Sequence, residues 1–429
     1  MLLLRSYATI SDLIFGLTGW RIPLPIFSFG FFVATAFLVA AWLLAKELKR
    51  KENQGLLSFK EEEVVVGKAP QPLDIGLNAL IGFLFGFKLG LIFSDYQLFT
   101  DNPQAVIFSS AGSIVGGIIG ALLLGYLKYS EVKKQQLPKP EKKKIKVWPH
   151  QRVGDIVVIA AIAGILGAKI FSNFEEPGGW ESFFRDPLGN FFSGLTIYGG
   201  LILGAAAVIY YATRKGINVL HLGDAVAPAL ILAYGIGRIG CQVAGDGDWG
   251  VYNSAYLTKE TGEVAAAMPE DFDKATAAYP NYFNYAFGDR EDIPNRSFQA
   301  PSWMPVSWVA QNYAHNVNED GLPLPDCDGK FCAVLPIPVF PTPLYETIMS
   351  IIIFSILWIA RTRISTAGIL FAAYIFANGL ERFWIEKIRV NNIVTFLGMK
   401  ATQAEFISVG MMVFGLAFGL VLWKRSRKA

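Results

Sequence analysis

The segment Tyr234-Gly-Ile-Gly-Arg-Ile-Gly-Cys-Gln-Val-Ala-Gly-Asp-Gly-Asp-Trp-Gly250 gathers an arginine, a thiol and two carboxylates around a glycine-rich turn. Arg238 is a permanent cation whose planar fork of donors matches a phosphate. Gly240 and Gly245 let a backbone or a ligand approach closely, and Asp246 and Asp248 follow directly. A second group lies near the C-terminus. Arg382 and Glu386 are four residues apart and share one helix face, with Arg389 about a turn further on. Two arginines from different helices can hold one phosphodiester between them. The plainer alternative is a structural Arg–Glu pair at a helix end, with the arginines snorkelling to headgroups. Tyr198, Tyr345 and Glu346 complete the polar set.

These residues need a scaffold, and composition says which kind. Hydrophobic residues make up 53% of the 429 and charged ones only 17%, against roughly 25% charged in soluble chains. The deficit lies in long uncharged runs that read as membrane-spanning helices. The expected fold is an all-α polytopic membrane protein with about nine transmembrane helices. They fall near 26–45, 73–93, 106–127, 153–172, 193–212, 220–241, 342–360, 365–385 and 404–424. Lysine and arginine collect in cytoplasmic loops. Nine Lys/Arg against two Glu lie in 128–152. Further basic residues follow the first, fifth, seventh and last spans. All fall on one side if the N-terminus is outside and the C-terminus cytoplasmic. Loop 242–341, with fourteen acids and five basic residues, then lies outside. In that frame Tyr198, Arg238, Tyr345, Glu346, Arg382, Glu386 and Arg389 share one depth, near the outer face. Charged groups inside spans are costly and mark functional sites.

Residues 74–127 resemble 155–211. In each copy an Asp opens a span and a lysine follows fourteen residues later (Lys88, Lys169); a Thr-Asp or Arg-Asp pair then precedes a proline (Thr100–Asp101, Arg185–Asp186), and a Gly-Gly pair sits in the next span (Gly116–Gly117, Gly199–Gly200). This reads as a parallel duplication of a helix pair; the two lysines read most simply as snorkelling anchors. The expected organisation is an N-terminal interfacial segment (1–25) with Arg5, Asp12 and Arg21 among apolar residues, a first span (26–52) and a duplicated extra pair (73–127). A basic cytoplasmic linker (128–152), core helices (153–241), an external loop subdomain (242–341) and C-terminal core helices (342–424) follow. The first residues lack a signal-peptide pattern. Cys327 and Cys332, spaced C-x4-C in an oxidising compartment, are a disulfide candidate. His315 is a surface histidine or part of the site. No metal, cofactor or nucleic-acid partner is expected.

Segment 234–250 resembles the signature of the bacterial prolipoprotein diacylglyceryl transferase family, roughly Gly-Arg-x-Gly-Asn-x-x-Asn-Gly-Glu and then a glycine. Gly237, Arg238, Gly240 and Gly245 match. Cys241 and Ala244 replace the asparagines, Asp246 stands for the glutamate, and one residue is inserted before Gly250. Three further stretches agree in order: Gly194-Leu-Thr-Ile-Tyr-Gly-Gly200 with Gly-Met-Ser-Phe-His-Gly-Gly, Pro341-Thr-Pro-Leu-Tyr-Glu346 with Pro-Ser-Gln-Leu-Tyr-Glu, and Arg382-Phe-Trp-Ile-Glu-Lys-Ile-Arg389 with Arg-Phe-x-x-Glu-x-x-Arg. The similarity covers about 22–52 and 150–424. The family has seven spans, so the first copy of the repeat is additional. Tyr198 stands where the family has histidine, Phe29 where it has tyrosine, and Phe340 where it has another histidine.

The resemblance implies transfer of an sn-1,2-diacylglyceryl group from phosphatidylglycerol to the lipobox cysteine of a prolipoprotein, the first step of lipoprotein maturation. A thioether forms and glycerol phosphate leaves. It implies a bacterial inner-membrane protein with its site toward the outer leaflet. On that reading the catalytic residues are Tyr198, Arg238, Arg382, Asp246 and Glu386. Gly240, Gly245, Asp248, Tyr345, Glu346, Arg389 and His315 would bind substrate. The base is open among Tyr198, Asp246, Asp248 and His315. The rival readings are a transporter or channel for an anionic or lipid substrate, and a non-catalytic phospholipid-binding paralogue.

Overall fold

The structure is a computed structural model of the 429-residue chain. It describes all residues except 1–5, 21, 23, 25, 97–98, 100–105, 107–108, 191–193, 288–292, 326, 328, 392, 397 and 428–429. Arg5 and Arg21 of the N-terminal segment and the Thr100–Asp101 pair of the first repeat lie outside the described residues. The chain divides into two compact units, 49–218 and 1–48 with 219–429. Among the described residues, eight helices are long and apolar enough to cross a membrane. The chain is a multi-pass membrane protein. The ninth expected span, 365–385, is the helix Ile369–Glu386. Its end carries Glu381, Arg382 and Glu386, and that is why length and apolarity alone do not pick it out.

Unit 49–218 is built from two helix pairs and a ribbon. Helix α1 (Ile10–Thr18) and the start of α2 (Ser28–Asn53) belong to the other unit. After α2 come β1 (Lys60–Val66) and the pair α3 (Pro72–Ser94) and α4 (Ile114–Lys134). Strand β2 (Glu141–Val147) then leads to the pair α5 (Val153–Glu175) and α6 (Ile197–Lys215). The helices of each pair touch backbone to backbone. A methyl group on Gly86 would lie 2.1 Å from the Gly116 carbonyl oxygen, and one on Gly167 would lie 2.4 Å from that of Gly199. Small residues permit such contact, which drives helix association in lipid. Both pairs carry the same backbone pin one residue before their lysine: Ser113 N–H donates to Phe87 O (2.9 Å), and Thr196 N–H to Ala168 O (3.1 Å). Lys88 donates to the carbonyls of Val106, Ser109 and Ala111 at 2.6–2.8 Å. Lys169 is buried with its ammonium 5.7 Å from the Phe183 ring centre.

The basic stretch between the pairs is more than a connector. The α4 helix runs on to Lys134, and β2 pairs antiparallel with β1, setting Lys146 against Glu61 and Lys144 against Glu63. Opposite charges across a ladder stabilise it. At its root, Glu62 bonds Lys215 (2.9 Å) and Arg152 (2.8 Å). The hydrogen bond from Lys215 and then that from Arg152 hold the Glu62 carboxyl below its ordinary pKa.

In the other unit, α7 (Val219–Ala244), α8 (Thr342–Ala360), α9 (Ile369–Glu386) and α10 (Gln403–Ser426) form the helical part. The buried Asp224 carboxylate accepts from the N–H groups of Gly368 (2.8 Å) and Phe371 (3.0 Å), capping α9 from a neighbouring helix. The turn of α10 is closed by a capping box between Thr402 and Glu405. Helix α1 lays Ile10 and Leu13 against Val243. Residues 245–341 form a small subdomain of short helices and two-stranded ribbons. Its core is Tyr252, Phe272, Phe283, Tyr313, Leu335, Ile337 and Val339. Gly250 N–H to Phe340 O (2.9 Å) closes its two ends, and Val251 N–H to Ile388 O (2.9 Å) and Val317 N–H to Ala244 O (2.9 Å) tie it to the helix ends.

Candidate active site

The last three turns of α7 place Tyr234, Arg238 and Cys241 on one face, at spacings of four and three residues. The face meets the start of α8 because Gly235 has no side chain: a methyl there would lie 2.8 Å from Ser350 Cβ. Glu346, in the first turns of α8, is fully buried. From α9 come Glu381, Arg382 and Glu386, with Arg389 just beyond. Gly245, at φ +63°, turns the chain out of α7. A side chain there would be strained and would also meet Asn316 Cβ at 2.9 Å. That turn delivers Asp246 and Asp248.

Glu346 is the hub. Its Oε2 accepts from Arg238 Nε at 2.5 Å. Its Oε1 accepts from the Tyr234 hydroxyl at 2.9 Å and from Arg382 Nη1 at 3.4 Å, and Arg389 Nη1 lies 3.8 Å away. Asp248 is the second bridge, with one oxygen bonded by Arg238 Nη1 and the other by Arg389 Nη2. Glu386 pairs with Arg382 at 3.3 Å and accepts from Asn391. Three guanidiniums from two chain segments thus converge on one buried carboxylate, and each is held by acids that fix its plane.

Burial works against ionising Asp248, but the Arg238 and Arg389 charges outweigh it and hold its carboxyl below the ordinary range. Burial pushes Asp246 the other way, above its ordinary value, with the Asp248 charge adding to the rise. Two carboxylates two residues apart are therefore pushed in opposite directions. Cys241, a buried free thiol, lies 3.4 Å from Arg238 Nη1. Ligand atoms of Cys241, Asp246 and Asp248 fall within 4.8 Å of one another. Both Asp248 oxygens are already bonded to guanidiniums, so a cation there would have to displace them.

Arg238, Arg382, Arg389, Asp248, Glu346 and Glu386 come together, with Asp246 beside them. Gly240 packs on α2, where a methyl would lie 3.0 Å from Phe32 Cβ. The Tyr345 hydroxyl donates to Trp308 O at 2.6 Å, facing the subdomain. His315 stands apart. It is exposed, in a left-handed conformation (φ +62°), with Nδ1 2.9 Å from Phe331 O and 3.7 Å from Cys327 Sγ. Cys327 and Cys332 are joined in a disulfide. Tyr198 is the second residue of α6, in the unit 49–218. Glu381 and Tyr234 are the site residues that motif reading passed over. An acid next to an arginine reads as an ordinary helix-end pair, and Tyr234 was seen only as the start of a glycine-rich run.

The sequence of residues 136–421, two thirds of the chain, matches the family model described as prolipoprotein diacylglyceryl transferase. The chain belongs to that family. A phosphatidylglycerol–prolipoprotein diacylglyceryl transferase of Clostridium perfringens is 34% identical over 149 residues, covering 34% of this chain and 54% of that protein. One from Bifidobacterium adolescentis is 39% identical over 93 residues, covering 20% and 26%. One from Leptospira interrogans is 28% identical over 155 residues, covering 31% and 45%. The chain spans about half, or less, of the length of these curated relatives. The α3–α4 pair ends at Lys134, before the stretch that the prolipoprotein diacylglyceryl transferase model covers. Arg238, Glu346 and the α9 residues all lie within it.

Proposed function

We propose that the chain transfers the diacylglyceryl group of phosphatidylglycerol to the lipobox cysteine of a prolipoprotein, forming a thioether and releasing glycerol phosphate. The observation that carries this reading is the convergence of Arg238, Arg382 and Arg389 on Glu346 and Asp248. The lipid phosphodiester exchanges with carboxylate oxygens on these guanidiniums, which then offset charge on the departing phosphate. Asp248, held ionised by its two guanidiniums, and Glu386, paired with Arg382, keep the guanidiniums aimed. The acceptor thiol has an ordinary pKa near 8.5, so a neighbouring cation or base must raise its thiolate fraction. Asp246, with its raised affinity for a proton, is a fitting acceptor. Tyr198 is the other candidate, although a tyrosine hydroxyl titrates near 10 without help. Subdomain 245–341 guides the precursor peptide. The distribution of lysine and arginine supports an inner-membrane protein with the N-terminus outside, the C-terminus cytoplasmic and the site toward the outer leaflet. A transporter would gather its polar groups at the midplane, whereas these cluster where α7 and α9 end and α8 begins.

The test is mass spectrometry of purified protein mixed with phosphatidylglycerol and a lipobox peptide. A diacylglyceryl mass gain on the peptide cysteine is expected, reduced by roughly 10²-fold or more in Arg238→Ala. Normal turnover by that variant would sink the phosphate clamp, and no gain with well-folded wild type would move the reading to binding or transport.

A further inference from the structure

Glu381 has no place in the scheme above, yet it is nearly as buried as Glu346. It is 3% exposed, and its Oε2 has no hydrogen-bond partner among the described residues. Its Oε1 lies 3.5 Å from the Tyr234 hydroxyl oxygen, which sits 2.9 Å from Glu346 Oε1. A phenol has one proton to donate, and the shorter contact takes it to Glu346. Glu381 Oε1 then faces a lone pair. An ionised carboxylate in that position would be buried with no donor at Oε2 among the described residues and, at Oε1, only the distant Tyr234 hydroxyl already committed to Glu346, an arrangement proteins avoid. A proton on Oε1 turns the contact into a donor–acceptor pair. Charge counting agrees. Three guanidiniums are already ion-paired with three carboxylates, Glu346, Asp248 and Glu386. Asp246 lies beside them as well, so a further negative charge on Glu381 would add to the acids already crowding the guanidiniums, which is wrong for holding a phosphate.

The geometry points to Glu381 as a neutral carboxylic acid that stores a proton for the arginine cluster and passes it through Tyr234 to Glu346. This rests on the phosphate clamp proposed above. When an anionic headgroup takes guanidinium donors from Glu346, that buried carboxylate loses its counter-charges. The Tyr234 proton moves to Glu346 and the Glu381 proton moves to the Tyr234 oxygen. One O–H bond breaks and one forms at each step, and no electrons change hands. Glu381 ends as the carboxylate and Glu346 as the acid. The groups facing Glu381 are Tyr234 and Arg238 of α7, Glu346 of α8, and Arg382 and Tyr374 of its own helix. Glu381 is thus a positioning residue that sets the charge of the site from behind the arginines.

Infrared difference spectroscopy on the full chain in nanodiscs tests it, with phosphatidylglycerol as the probe and phosphatidylcholine as background. Wild type should show a buried carboxylic-acid C=O band at rest, and Glu381→Gln should lack it. Adding phosphatidylglycerol should shift the band in wild type. Tyr234→Phe should keep the resting band and lose the shift. Glu381→Gln, nearly isosteric and neutral, should fold and retain the lipid by native mass spectrometry, with transfer reduced roughly 10²-fold. A resting band unchanged by Glu381→Gln overturns the proposal. So does a lipid-induced shift that survives Tyr234→Phe, or no shift in wild type while the lipid is bound. If wild type retains no phosphatidylglycerol, and Arg238→Ala is no different, the clamp itself has failed.

Discussion

Asp246 and Asp248 show how two identical side chains acquire opposite habits. Asp248 lies between two guanidiniums and stays ionised, while Asp246 lies beside the Cys241 thiol, where burial raises its affinity for a proton. If Asp246 is the proton acceptor, it works only when ionised. Its folded pKa is raised, so kcat/KM should climb with pH through a value above the ordinary aspartate range, near 3.9. Asp246→Asn should abolish that limb, and a pH–rate profile on short-chain phosphatidylglycerol checks it. An unchanged limb would assign the proton to Tyr198 or another group. At this scale the sequence was legible where spacing carries geometry. The interval between Arg382 and Glu386 is a helix-face rule, and the structure shows that pair. Glu381 was not legible, because the sequence does not show that its neighbour across the helices is a tyrosine already committed elsewhere.

At the scale of elements, hydrophobic runs located most long helices to within a few residues, but the expected span 106–127 is the helix Ile114–Lys134, and the first helix runs eight residues past its expected end at 45. The basic stretch 128–152 reads from the sequence as a linker, and nothing in it alone shows that 141–147 pairs with 60–66 to make a ribbon. Glycine carried more than was read from it. The Gly-Gly pairs mark the crossing points of α3 with α4 and α5 with α6, where no side chain fits. Gly86→Leu should therefore force α3 and α4 apart. The expected result is a lower melting temperature in detergent and new protease cleavage near the pair. Gly76→Leu, at a position where an added Cβ meets none of the described residues within 4 Å, is the control and should behave as wild type. Equal behaviour of the two variants would mean that the pair is not held by this contact.

For the whole molecule, the three cysteines offer a simple check. Two are bonded and one is buried beside Arg238. Native, unreduced protein should show one thiol that reacts slowly with a maleimide, and reduced, unfolded protein should show three. Two fast thiols in the native state would mean that the Cys327–Cys332 loop is open. That the chain is a many-helix membrane protein was plain from composition, because a bilayer tolerates so few alternatives. The division into two units was not, since it follows contacts between helices rather than any break in hydrophobicity.

The matching pins of the two helix pairs have a consequence for biogenesis. A chain with two copies of one docking face can mispair, α3 accepting α6 in place of α4. Order of synthesis works against this error. The α4 helix leaves the ribosome soon after α3 and closes the shorter loop, at lower entropic cost. By the time α6 is made, the first face is already occupied. Moving α4 behind α6 in the order of the chain would remove that protection.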